Sequence, residues 1–225
     1  MRALQNTGKP WAVAAGISAI GLVASASVAM GAPTGETQAA DRSATRGVYL
    51  TRAMMLTVGQ VAKADPGQGW SVQRDRGILP RTWCGPTSQE GLRVAQRLAR
   101  GYTDDMSKTG AQYLSRYNTT ADAKKAYASI VATVKACKGA KPKSPTHGRK
   151  LTVTSNVKAG DATTILRWYD YPLPNDPGSE AGTFPYAVTV KGTTVSVLAF
   201  WGYGQGVKPA NFRKLAVAAA AKLPG

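Results

Sequence analysis

Histidine and cysteine are nearly missing from this chain. Its 225 residues hold one histidine, His147, and two cysteines, Cys84 and Cys137. A single histidine in a Lys/Pro-rich stretch leaves a Ser-His-Asp triad without a plausible base. Two cysteines at this spacing do not make a zinc site, so no metal site and no cofactor is expected. There is no Walker loop, no dinucleotide glycine fingerprint, no Gly-x-Ser-x-Gly elbow and no kinase motif. Acidic residues are also scarce: 12 Asp and Glu face 29 Lys and Arg, for a net charge of +17. The basic residues are spread along the chain, and no RNP-type motif or basic helix gathers them. Nucleic acid is therefore not the expected partner. Loose attraction to a membrane surface or an anionic wall polymer is.

The few acids bear on catalysis. Asp104-Asp105 and Asp170, Asp176 and Glu180 fall in predicted loops or at their edges, where solvated carboxylates are the expectation. Asp170 differs, because it is in phase with Leu166 and Trp168 on one strand face and is read as partly buried.

What is present begins with an export pattern. Arg2 and Lys9 precede an uncharged Ala/Val/Gly/Ile-rich run from Trp11 to Met30. Ala24-Ser25-Ala26 and Ser27-Val28-Ala29 offer small residues at positions a signal peptidase reads. Ala, Gly and Ser dilute the run below what a spanning helix wants, so cleavage near Ala29 is read ahead of a retained anchor. The reading divides the chain into a signal peptide (1–29), a disordered leader (30–49) and a single domain (50–225). Losing Arg2 and Lys9 leaves 27 basic against 12 acidic side chains, or +15. With 43% hydrophobic residues the remainder can build one core.

Thr119 to Lys138 reads as a helix. Ala123, Tyr127, Ile130, Val134 and Cys137 form one apolar stripe, while Asp122, Lys124, Lys125, Ser129 and Lys135 face water. Asn118 or Thr119 caps it, Asp122 complements the dipole, and Gly139 and Pro142 end it. Cys137 then points inward, and Cys84 is its one available partner. Outside the cytoplasm the pair is expected to be oxidised. Closing a loop of about fifty residues stabilises by roughly 4 kcal/mol in the loop-entropy model.

Elsewhere, Leu50 to Ala62 reads as a short helix and Gly69 to Arg74 as a strand with Trp70 and Val72 on one face. Leu92 to Tyr102 fits a helix period, and also a strand face interrupted by Gln96 and Arg100; local propensity favours helix. Ala111 to Tyr117, Leu151 to Val157 and Thr163 to Tyr171 read as strands. Lys138 to Lys150 is a basic loop, and Pro172 to Gly182 another. Phe184 to Lys191 and Thr194 to Trp201 flank a Gly192-Thr193 hairpin turn. Apolar residues on both faces of the latter suit a central strand. Phe212 to Leu223 closes as an Ala-rich helix. The layout is α+β, with a mostly antiparallel sheet and helices packed on it.

Tyr113, Tyr117, Trp168, Tyr169, Tyr186 and Trp201 all fall on predicted strands. Apolar rings with polar tips suit a pocket for a small apolar ligand, although packing alone explains single aromatics on strands.

The Trp83-Cys84 pair, the run from Tyr113 to Cys137 (YLSRYNTTADAKKAYASIVATVKAC), the late VLAFWG hairpin and the final Ala-rich helix resemble the extracellular sensor domain of mycobacterial protein kinase H and its stand-alone relatives. The resemblance spans about Leu50 to Leu223. It implies a central antiparallel sheet with one disulfide, Cys84–Cys137, matching that family's helix-terminal bond; a second family disulfide has no cysteines here. It implies that Leu92 to Tyr102 is a strand, which is adopted over propensity. It also implies a cleft for a small ligand, and a stand-alone domain without an attached kinase is the expectation. The expected function is exported, non-catalytic binding of a small apolar ligand, with Tyr113, Arg116, Trp168, Asp170, Tyr186 and Trp201 as ligand-binding residues. The alternative is a pocket enzyme that cyclises or tailors an apolar secondary metabolite, with Asp170, Tyr113 and Arg116 as its groups.

Overall fold

The computed structural model describes residues 49–73, 92–136, 147–172, 181–204 and 206–225, with the side chains of 147–153 and 170–172 excepted. The export segment, the leader up to 48, Cys84 and Cys137 lie outside the described residues, so the expected disulfide does too.

Seven strands form one antiparallel sheet: β1 (Ser71–Gln73), β2 (Val94–Thr103), β3 (Thr109–Tyr117), β4 (His147–Val157), β5 (Ala162–Pro172), β6 (Gly182–Lys191) and β7 (Thr194–Tyr203). Their spatial order is β1-β2-β3-β7-β6-β5-β4. Three helices join them: α1 (Val58–Ala64), α2 (Thr120–Lys135) and α3 (Pro209–Ala221). The α+β layout with a central antiparallel sheet is as expected.

β7 sits between β3 and β6 and is buried along nearly its whole length, which explains its two apolar faces. The Gly192-Thr193 turn leads into it; Gly192 takes φ +54°, where glycine has no Cβ penalty. The Asp161 carboxylate accepts from its amide at 2.8 Å.

Each face of the sheet carries its own core. On one, α2 lays Ala123, Ala126, Ile130 and Val134 on residues of β3, β7, β6 and β5. Thr119 is the cap: its Oγ1 accepts from the Asp122 amide at 3.0 Å. Tyr127 is only partly buried and bonds Thr164 Oγ1 at 2.6 Å. On the other face, Phe212, Leu215, Ala216 and Ala219 of α3 meet Ile165, Ala187, Leu198 and Phe200. Phe200 is the hub of this second core. It stacks on Tyr102 at 6.1 Å and meets Trp70 and Phe212 edge-on at 5.5 and 6.1 Å. Its ring crosses Gly110, where a Cβ would lie 2.5 Å from it.

Several expectations need correction. The strand adopted for Leu92 to Tyr102 over local propensity is present as β2, though it starts only at Val94. Leu50 to Ala62 is not one helix. A 3₁₀ turn (Arg52–Met54) is followed by extended chain, and α1 starts only at Val58 behind a Thr57–Gln60 capping box. The extended part runs beside β2 and β3, whose polar side chains take its backbone groups. Gln96 exchanges two bonds with Leu50 at 2.7 and 2.9 Å. Gln112 accepts from Leu56 N at 2.7 Å, and Arg100 and Tyr102 both donate to Leu56 O. Around Trp70 the strand shortens to three residues, and Val72 stays 41% exposed while Trp70 is buried. β4 begins at His147, paired with Pro172, so the basic loop ends earlier than expected. Asp104 is not solvated. It is buried, and its Oδ1 accepts from the amides of Met106, Ser107 and Lys108 at 2.9, 2.7 and 2.7 Å, which holds the β2–β3 turn.

Candidate functional site

Strand alternation decides which of the proposed residues can meet. On β3, residues 111, 113, 115 and 117 point toward α2, and 112, 114 and 116 point away. The neighbouring strands align their own α2-facing residues through the ladder. Trp168 pairs with Phe184, and the Thr183–Gly202 and Tyr186–Ala199 pairs set Phe184 opposite Trp201. These three rings form a ridge across β5, β6 and β7. The next row reads Leu166, Tyr186, Ala199, Ala111 and Gly101. Beyond it Tyr113 stands between Val197 and Ala99. On β7, β3 and β2 the middle row is therefore a trough of short, buried side chains, Ala199, Ala111 and Gly101, with Trp201 beside it on β7 and Tyr113 beside it on β3.

The structure thus brings Tyr113, Trp168, Tyr186 and Trp201 into one cluster. Tyr186 is 1% exposed, and Tyr113 and Trp168 are 7% and 8% exposed. Burial pushes the Tyr113 hydroxyl up to about 12. The Trp168 indole donates to the Val134 carbonyl at 2.9 Å and so fixes the end of α2 over β5. Trp201 is partly buried, and its ring meets that of Tyr203, 48% exposed, edge-on at 4.9 Å.

Two predicted residues stand apart. Arg116 is three residues from Tyr113, an odd step, and so projects on the opposite face, where its guanidinium lies 5.6 Å from the Tyr49 ring. Asp170 occupies the ladder position between Arg149 and Gly182, in phase with Trp168; its side chain is outside the described set. Arg116 and Tyr113 therefore do not form a joint group, and the enzyme alternative gains no support from their geometry. Phe184, Tyr203 and the short residues Gly101, Ala111 and Ala199 were missed. Their signal is the sequence of small and large residues along β3 and β7, which acquires meaning only once the register is known.

Among the described residues, no group of three or more His, Cys, Asp or Glu side chains could hold a metal ion, and no helix is long and apolar enough to cross a membrane. Two cavities open on the opposite face of the sheet, both along α3.

No family model matches the chain, and no curated protein matches it. Among solved structures it is similar to the extracellular domain of PknH from Mycobacterium tuberculosis. The TM-score is 0.47 and the identity 14%, over 76% of this chain and 94% of that one.

Proposed function

We propose that the chain is an exported, non-catalytic domain that binds a small apolar ligand in the trough on the α2 face. One observation carries this reading: a row of short side chains, Ala199, Ala111 and Gly101, crosses β7, β3 and β2 and is flanked by Trp201 on β7 and by Tyr113 on β3. The short residues are buried below the level of the flanking rings, which offer apolar walls with polar tips at which a ligand would be oriented. Trp201 stands at the end of the trough and touches exposed Tyr203, which makes it the entrance. Export rests on the Arg2/Lys9 start, the Trp11–Met30 run and its small-residue end. A sensor-like role follows if a second protein reads the loaded state.

The test is a thermal-shift and tryptophan-fluorescence screen of the secreted protein with neutral compounds of ten to fifteen heavy atoms, such as monoterpenes and aryl ketones. Binding should quench or shift tryptophan emission, and Trp201→Ala should weaken it at least tenfold. A screen in which every positive compound binds Trp201→Ala as well as the parent would refute the site. A product appearing during incubation would refute the non-catalytic part.

A further inference from the structure

The second face of the sheet holds a residue that packing does not call for. On β5, Thr163, Ile165 and Arg167 share the side that α3 covers. Ile165 is buried there as expected, but Arg167 is buried as well, at 6% exposure. A leucine would fill the same position without removing a guanidinium from water. Burial lowers the pKa of Arg167 from its usual value. One edge of its fork donates to the buried carbonyl of Val207, just ahead of α3. That bond fixes the plane of the guanidinium, which has a further partner besides Val207.

Arg167 also lines a cavity of about 340 Å³ between β4, β5 and the first turn of α3. Arg213, one turn into α3, lines it too, together with Ser155; Ile165 and Phe212 supply apolar wall. Among the described residues, no acidic side chain lines the cavity. Its described surroundings are mainly basic: neither α1 nor α3 carries an acid within its span, Asp65 at the end of α1 is paired with Lys108, and Lys63, Lys208 and Lys214 are exposed on the helices or at their ends. The start of α3 has no acid and no side-chain cap, which adds a small favourable field for an anion without being the basis of the argument.

We propose that this cavity binds a small organic carboxylate, its head held by Arg167 and Arg213 and its short apolar body resting on Ile165 and Phe212. Planar guanidinium groups match a carboxylate in paired hydrogen bonds. The Ser155 hydroxyl supplies a further donor. Four of the seven described lining residues are apolar, which favours an anion with a carbon body over a bare oxyanion. The volume lies at the lower end of the range of ordinary ligand sites, roughly 300–1,000 Å³. This site is on the opposite face from the trough and is independent of it.

The experiment is calorimetric titration of the full chain with 4-phenylbutyrate, its neutral amide and inorganic phosphate. The acid should bind at least tenfold more tightly than either control, and more weakly as salt is raised. Arg213→Gln alters an exposed head and should fold normally while losing at least tenfold in affinity. Arg167→Met should keep the fold and lose as much. Equal binding of acid and amide, or parent-like binding in Arg213→Gln, would overturn the proposal. Equal binding of phosphate would overturn the assignment of an apolar body. Loss of phenylbutyrate binding in Trp201→Ala would place the ligand on the other face and overturn the site.

Discussion

Replacing Trp168 with phenylalanine isolates one contact between sheet and helix. The indole is 8% exposed, and its Nε1 donates to Val134 O at the end of α2. Trading indole for phenyl removes roughly 40 Å² of buried ring surface, or about 1 kcal/mol at roughly 25 cal/mol per Å². Taking the donor from a buried carbonyl costs about 1–3 kcal/mol. The Ala136 amide also reaches Val134 O, which holds this second cost near its lower end, about 1 kcal/mol. The expected loss is thus about 2 kcal/mol. For a domain of this size each kcal/mol moves Tm by about 2–4 °C, so the melting temperature should fall by about 4–8 °C. Thermal melts by circular dichroism measure it, and urea titration should show a lower midpoint at unchanged slope. Amide exchange in the last turn of α2 should quicken as well. A fall below about 2 °C would show that the indole bond does not pin α2, and the reasoning would fail.

Three further outcomes follow from other contacts. Burial pushes Tyr102 and Tyr113 up to about 12 from 10, with nearby Arg100 partly offsetting this at Tyr102. Above pH 10 the unfolded chain ionises these hydroxyls while the folded chain does not. Their stabilisation is therefore intact below pH 10 and is lost between pH 10 and 12, at up to about 1.4 kcal/mol per pH unit for each; urea midpoints across that range measure it, and Tyr102→Phe should flatten the slope. Gly110→Ala sets a Cβ 2.5 Å from the Phe200 ring and should cost about 1–3 kcal/mol by overpacking, read from the same midpoints. Gln96→Ala removes both bonds to Leu50 and should cost about 1–2 kcal/mol, with the Leu50 amide exchanging faster; unchanged exchange would show that Gln96 does not hold that segment.

Much of the fold was legible because its elements follow the simple periods. α2 shows a stripe at steps of three and four, and β6 and β7 alternate around a glycine turn. β2 was harder for a physical reason. Gln96 and Arg100 break the apolar pattern of their face because they bond the backbone of Leu50 to Leu56 rather than pack in a core. A polar residue that serves a distant segment looks, in sequence, like a turn of helix pointing at water. The same partnership explains why Leu56 read as helical yet is extended: its amide and carbonyl bonds are made by Gln112, Arg100 and Tyr102. The separation of Arg116 from Tyr113 was legible from parity along one strand. Grouping Trp168, Phe184 and Trp201 was not, since it depends on the register of three strands. Asp104 read as a wet loop acid because three amides of its own turn are what it binds.

The place of β7 has a consequence for how the chain matures. The last strand in sequence order is inserted in the middle of the sheet, between β3 and β6. Its hairpin with β6 is local, but its ladder with β3 joins Thr109 to Trp201 and Arg116 to Thr194. Until that seam zips, β1–β3 and β4–β7 are two half-sheets, each with a raw inner edge. Such edges invite pairing with other chains, and long-range closure is slow. Closure of the sheet therefore waits until β7 has been made, and a chain cut short before Thr194 would keep the β3 edge open.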